Sequence, residues 1–324
     1  MASSHLSRRA LLATLPPLTA ARPARAAWKP SRPVSLVVGF AAGSGTDAVS
    51  RVVAPLLAEE IGAGVVVENR PGANGALAAS FVARARPDGQ TVLMATNTTH
   101  AGNPALMRRL DYDPVRDFTA AAYLGSISFV LLAARRVPAR GAAEFVSWAK
   151  AQPSGVTAAS ANAHGLLGMS SLARSAGFSV TNVPYSSAAQ ALTDISAGRV
   201  DAVILDVIAS IGQIRAEALT PIAVMGGQRS SLLPEVPTLR EAGIPAFEVE
   251  GWMGVVAPAG VPNEVGAALS DALGRIVARP ELRSRLAAIG FDVRFRPAHA
   301  FAELIAADLR RWSAAAREAG IEPE

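Results

Sequence analysis

The sequence reads as an α/β protein of two lobes, each a mostly parallel sheet flanked by helices, with a ligand cleft between the lobes. Three observations carry this reading. Short apolar runs rich in β-branched residues alternate with stretches whose apolar residues recur at helical spacing. The alternation occurs in two series, one before and one after Pro138. In both series, strands end in small-polar loops that open straight into helices, which is where parallel sheets hold ligands.

Met1–Ala26 comes before the first strand and reads as an export signal. Ser7-Arg8-Arg9-Ala10-Leu11-Leu12 is a twin-arginine-like start, Ala10–Ala21 is a modest apolar segment, and Ala24-Arg25-Ala26 is an A-x-A cleavage site. The apolar segment is too short and too interrupted by Pro16 and Pro17 to anchor in a bilayer. The segment also distorts the charge balance. The whole chain has 31 basic and 26 acidic residues, net +5. Four of the arginines lie before Ala27, so the remainder carries 27 basic residues against the same 26 acids. A near-neutral remainder lacks the electrostatic footprint of a nucleic-acid binder. The chain has no cysteine, which excludes disulfides, thiolate metal sites and cysteine nucleophiles.

Val34–Gly39 is the first strand. Gly43-Ser44-Gly45 follows, then Thr46 and Asp47 as helix-capping residues, and then Val49, Val52, Val53, Leu56, Leu57 and Ile61 at helical spacing. A strand feeding a glycine loop that opens a helix gathers free N–H groups and the positive end of the helix dipole at one point. Ser44, Gly45, Thr46 and Asp47 are therefore candidate anion-binding residues. The loop lacks the Gly-Lys-Ser/Thr of a nucleotide P-loop, and it does not fit G-x-G-x-x-G. Val65–Glu68 is the second strand, Asn69–Gly75 a turn, Ala76–Ala85 a small-residue helix and Thr91–Ala95 the third strand, which enters the polar loop Thr96–His100. Phe118–Ser126 and Phe129–Ala134 are two adjacent apolar runs.

The second series starts with helix Ala142–Ala151 and strand Val156–Ser160, then loop Ala161–Gly165 and helix Leu166–Ala176. Strand Val180–Val183, helix Ala188–Ala197, strand Asp201–Leu205, helix Val207–Ala216 and strand Thr220–Val224 complete it. Gly251–Ala257 is strand-like, and helices Pro262–Ala278, Pro280–Ile289 and Pro297–Ala319 finish the chain. The simplest arrangement places lobe 1 at 27–130 and 252–324 and lobe 2 at 131–251. Helix starts from both lobes then line a hinge-closing cleft.

Several motifs in order resemble the Bug-type, TctC-like extracytoplasmic solute receptors of tripartite tricarboxylate transport systems. They are Gly43–Asp47; Val66 with Glu68–Ala73; Pro87-Asp88-Gly89; Tyr112-Asp113-Pro114; Val183-Pro184-Tyr185 with Ala191–Asp194; Pro234–Thr238; and Trp252 with Ala257–Gly260. The resemblance covers nearly all of the chain after the signal. It implies a periplasmic-binding-protein fold that traps a small carboxylated solute and delivers it to membrane transporter subunits, working as a periplasmic monomer with no cofactor. Carried onto this sequence, it adds Thr98, Thr99, Asn162, His164, Tyr185 and Asp206 to the ligand-binding candidates. The chain departs from the family pattern at four places. Ala41-Ala42-Gly43-Ser44-Gly45 stands where a proline pair and Gly-Gly-Ser are usual, the loop Ala161–Gly165 is shorter than the usual one, Ser186-Ser187 replaces Lys-Gly, and Val207 replaces Asn after Asp206.

Two other functions compete. A ligand sensor that presents its solute to a signalling partner would carry the same site. A secreted α/β hydrolase would pair Ser44 or Thr99 with His100 or His164, yet no G-x-S-x-G elbow or recognised catalytic histidine motif is present. No H-E-x-x-H or EF-hand pattern occurs either, so no catalytic residue and no metal ligand is expected. Asp206 has two readings: a cap for the helix that follows it, or a partner for an amine, hydroxyl or protonated group on the ligand.

Overall fold

A computed structural model describes residues 28–323. The segment read as an export signal, with its expected cleavage site, lies outside the described residues. The chain runs β1 (Val34–Val38), α1 (Gly45–Ile61), β2 (Val65–Asn69), α2 (Ala76–Ala83), β3 (Thr91–Thr96), α3 (Asn103–Leu106) and β4 (Phe118–Ala134). It continues through α4 (Ala142–Lys150), β5 (Val156–Ser160), α5 (Ala163–Ala176), β6 (Val180–Pro184), α6 (Ala188–Ser196), β7 (Ala202–Asp206), α7 (Val207–Arg215) and β8 (Leu219–Val224). β9 (Glu250–Pro258), α8 (Asn263–Ala278), α9 (Pro280–Ala288), β10 (Phe291–Pro297) and α10 (Ala298–Glu318) complete it.

The strand order β2-β1-β3-β9-β4-β7-β5-β6 makes two half-sheets that share β4. The outer three strands of each half are parallel, β2-β1-β3 on one side and β6-β5-β7 on the other. The centre is antiparallel: β9 joins β3 to β4, and β7 and β8 flank the far end of β4. The two apolar runs of the sequence are therefore one 17-residue strand. From Phe118 to Ser128 it pairs with β9, and from Phe129 onward with β7 and β8. One strand can serve both lobes because its residues are apolar nearly throughout and 14 of the 17 are buried.

β1 is a β-branched run buried between layers, with Leu36 and Val38 against α1 and Val37 against α2. α1 starts where the Ser44 side chain accepts the Asp47 N–H, and it ends at Gly62 in the left-handed conformation. β10 was not read from the sequence. Phe291, Val293 and Phe295 alternate there, but only Phe291 is buried, and the pairing with β4 is what makes the segment a strand. The loops also shorten. Residues 98–102 form a π-helical turn continuous with α3, and α5 begins at Ala163, so His164 lies in its first turn rather than in a loop. α10 returns to lobe 1, where Trp312 packs with Ala101 and Ala105, and also reaches Ala163 and Leu167 of α5 in lobe 2. Among the described residues, no helix is long and apolar enough to cross a membrane.

Candidate functional site

A cavity of about 400 Å³ lies between the lobes. Four helix starts face it: α1 with Ser44, α5 with Asn162, α6 with Ser187 and α7 with Asp206. Each cap is local chemistry. The Asn162 side chain accepts the Gly165 N–H at 3.0 Å, Ser187 Oγ accepts that of Gln190 at 3.3 Å, and Asp206 Oδ1 accepts that of Ala209 at 2.8 Å. Ser44 and Ser187 accept through their oxygens, so both keep an O–H to donate into the cavity. Among the described residues, no Lys or Arg lines this cavity. In place of a basic side chain, the helix ends supply positive partial charge, each end equivalent to roughly half a charge.

Ser44, Gly45, Thr46, Thr98, Asn162, His164, Tyr185 and Asp206 all line the cavity. Asp47 and Thr99 do not. Asp47 is buried behind the loop and braces it: its carboxylate accepts the Gly43 N–H, the Asn69 side-chain amide and Arg51 Nε, each at 2.9 Å. Burial pushes its pKa up, but the bonds from Arg51, Gly43 and Asn69 outweigh this and hold it below the usual carboxylate range. Asn69 also donates to the Phe40 carbonyl and so fixes the loop at a second point. Thr99 turns its hydroxyl onto the Thr96 carbonyl at 2.9 Å and stabilises the π-helical turn. In both cases a polar residue beside an anion loop is spent on holding the loop's shape.

His164 joins the lobes. Asn97 donates its amide to the Glu250 carbonyl at 2.7 Å, so its Oδ1 faces the Trp252 N–H and the His164 ring. His164 Nε2 therefore carries the proton donated to Asn97 Oδ1 at 2.8 Å, and Nδ1 accepts from the Thr98 hydroxyl at 3.1 Å. The ring stacks on Phe129 at 4.1 Å. Burial, and after it the charge of Arg311, lowers its pKa to about 3, so it is neutral at physiological pH. His100 is wholly buried beside Phe118, and desolvation likewise brings its pKa to about 3. It does not line the cavity.

Tyr185 is half-buried and presents its ring to the cavity, but its hydroxyl donates to Asp194 Oδ2 at 2.8 Å. Asp206 is buried, with no cation bonded to it among the described residues, and desolvation pushes its pKa up to about 6. It reaches across the cleft: a methyl group built on Gly45 would lie 2.5 Å from Asp206 Oδ1. Only glycine at the start of α1 permits that approach.

The sequence reading missed an apolar wall formed by Phe40, Ile127, Phe129, Leu192 and Met253. It also missed Ala73 and Asn74, which line the cavity with φ of 47° and 51°. Non-glycine residues held there store strain, and such positions cluster at functional sites. The run Asn69–Gly75 signalled a turn but not that the turn would face a cavity.

The sequence profile of the family described as "Tripartite tricarboxylate transporter family receptor" matches residues 49–321. Three solved structures are close in shape. The R. palustris protein Rpa4515 with adipate is 31% identical, with a TM-score of 0.87 over 91% of this chain and 99% of its own. MatC (Rpa3494) from Rhodopseudomonas palustris with bound malate is 32% identical, with a TM-score of 0.82 over 88% and 99% of the two chains. The periplasmic binding protein BugD is 29% identical, with a TM-score of 0.84 over 91% and 100%.

Proposed function

The chain belongs to the tripartite tricarboxylate transporter receptor family, and from that premise we propose that it captures a small carboxylate between its lobes in the periplasm and delivers it to membrane transporter subunits. It acts as a monomer without turnover of its own. Lobe 1 comprises residues 27–130 and 252–324, and lobe 2 residues 131–251, with β4 and the start of β9 as the crossing strands. The observation that carries this reading is the cavity with four helix starts and no basic side chain among the described residues. A carboxylate there receives N–H and O–H donors from both lobes. Each charge-assisted bond contributes about 1.5–3 kcal/mol, so three to five reach the roughly 8 kcal/mol of a micromolar complex. With no salt bridge to break, opening the lobes releases the solute. Relatives in solved complexes hold adipate and malate, both carboxylates.

Calorimetric titration of the mature protein with a panel of aliphatic and aromatic carboxylates tests the proposal. At least one acid should bind with a Kd in the micromolar range or below and be recovered chemically unchanged. Thr46 is buried in the cavity wall, and Thr46→Val should weaken that acid by about 1–3 kcal/mol. Binding of neutral amides in preference to every acid would reject the carboxylate reading.

A further inference from the structure

Of the four helix starts that face the cavity, three are capped by neutral side chains and one by a carboxylate. A neutral cap takes one N–H and leaves the positive end of the helix to an incoming anion. Asp206 instead places a negative charge at the start of α7. Resting on the carboxylate reading above, we infer that Asp206 selects acids carrying a hydrogen-bond donor on the carbon next to the carboxylate, a 2-hydroxy or 2-amino group, over the same acids without it.

First, Asp206 is short of partners. It is buried in the cavity wall, its carboxyl is bound only by backbone N–H groups, that of Ala209 at 2.8 Å to Oδ1 and its own, and among the described residues no side chain donates to it. A buried carboxylate is stabilised by donors, and no cation lines the cavity to supply one among the described residues. Second, Asp206 repels a second carboxylate and attracts an O–H or N–H, so the ligand group facing it is a donor. Third, its position sets the reach. Asp206 lies against Gly45 at the start of α1, so closely that a single added carbon would collide with it. On the carboxylate reading, the start of α1 also holds the ligand carboxylate. A donor bound to Asp206 then falls close to that carboxylate, on the neighbouring carbon. The raised pKa of Asp206 agrees with a carboxyl left without a cation.

Matched pairs of acids test this: lactate against propanoate, malate against succinate, glutamate against glutarate. Each is titrated by calorimetry into the wild type, Asp206→Asn and Asp206→Ser. Both replacements are good helix caps, and thermal melts of the free variants check that the fold is kept. In the tightest-binding pair, the wild type should prefer the substituted acid by about tenfold or more. Asp206→Ser, which keeps the cap and withdraws the carboxylate, should bring the two acids within about threefold by weakening the substituted one. Asp206→Asn, a neutral acceptor, should fall between, with the larger loss for the 2-amino acid. Equal binding of both members of every pair by the wild type overturns the inference and leaves the carboxylate reading standing. An equal loss for both members in Asp206→Ser also overturns it and makes Asp206 only an interlobe contact. Failure of every acid to bind overturns the carboxylate reading and this inference with it.

Discussion

His164, His100 and Asp206 are buried ionisable side chains with opposite consequences in acid. The two histidines have pKa values near 3 in the folded protein, well below the ordinary 6.5. Between those values the unfolded chain binds their protons and the native state does not, so stability falls as pH drops below 6.5. The slope is about 1.4 kcal/mol per pH unit for each histidine. Asp206 is raised to about 6, so from pH 6 down to its ordinary 3.8 the native state holds the extra proton and one histidine is offset. The net expectation is a loss of about 1.4 kcal/mol per unit from pH 6 to pH 4. Urea unfolding across this range checks it. His100→Phe keeps the ring's place against Phe118 and should flatten the slope by the same amount; an unchanged slope would assign the acid sensitivity elsewhere. For Tyr185, the structure alters what a substitution should do. Its hydroxyl is committed to Asp194, so Tyr185→Phe should leave ligand affinity within about twofold, while Tyr185→Ala, which removes the cavity-lining ring, should weaken it at least tenfold, the worth of about 1.4 kcal/mol. Calorimetry on the two variants separates ring from hydroxyl.

At the scale of elements, the start of α1 does two jobs. Its N–H groups face the cavity, and Gly45 is where α1 meets the start of α7. A methyl group at this position would lie 2.5 Å from Asp206 Oδ1 and 3.0 Å from the Ile127 side chain. Gly45→Ala is compatible with the helix itself and favours it by propensity. The variant should therefore fold with a melting temperature close to the wild type, yet lose most of the stabilisation that a saturating carboxylate provides. That stabilisation is about 2.7 kcal/mol at a hundred times Kd. Melting curves with and without ligand measure it, and full ligand stabilisation in Gly45→Ala would show that the approach of α1 to α7 is not needed for binding. The π-helical turn at 98–102 shows a similar division of labour. Thr98 bonds across the lobes to His164, while Thr99, one residue on, is spent within its own turn.

At the scale of the whole molecule, β4 and β9 carry the chain between half-sheets, and the side chains of β4 next to the crossing divide between two cavities. Ile127 and Phe129 line the cleft, while Ser126 and Ser128 line a second cavity of about 870 Å³ on the other face. This is the period-two alternation of a strand, applied to a segment with a cavity on each side. Export also belongs to this scale. Protein recovered from the periplasm should begin at Ala27, and replacing Arg8 and Arg9 with lysines should block its appearance there. Intact-mass measurement reads the first outcome and cell fractionation the second. A periplasmic chain that keeps Ser3–Arg9 would refute the cleavage site.

The sequence by itself determined the alternation of strands and helices, the starts of α6 and α7 at the cavity and the absence of cysteine. These follow from local rules: apolar spacing, capping residues and turn residues act over a few positions. The helix cap was legible at Asp206 because a cap is a bond between residues three apart, whereas α1 is capped by Ser44 and not by Thr46 or Asp47, which the sequence offered and which lie inside the helix. The tertiary structure alone decided what each polar side chain at those ends is used for. Asp47 and Thr99 have the same residue types as true cavity-lining groups, but their partners, Asn69 and the Thr96 carbonyl, are brought to them by folding. His164 reads in the sequence as a loop histidine. Its two ring nitrogens are claimed by Asn97 and Thr98, 67 and 66 residues away. β10 and the unbroken β4 are likewise products of long-range pairing. A strand with one buried residue has no amphipathic signal strong enough to announce itself, and two apolar runs show no sign of being one strand until both half-sheets pair with it.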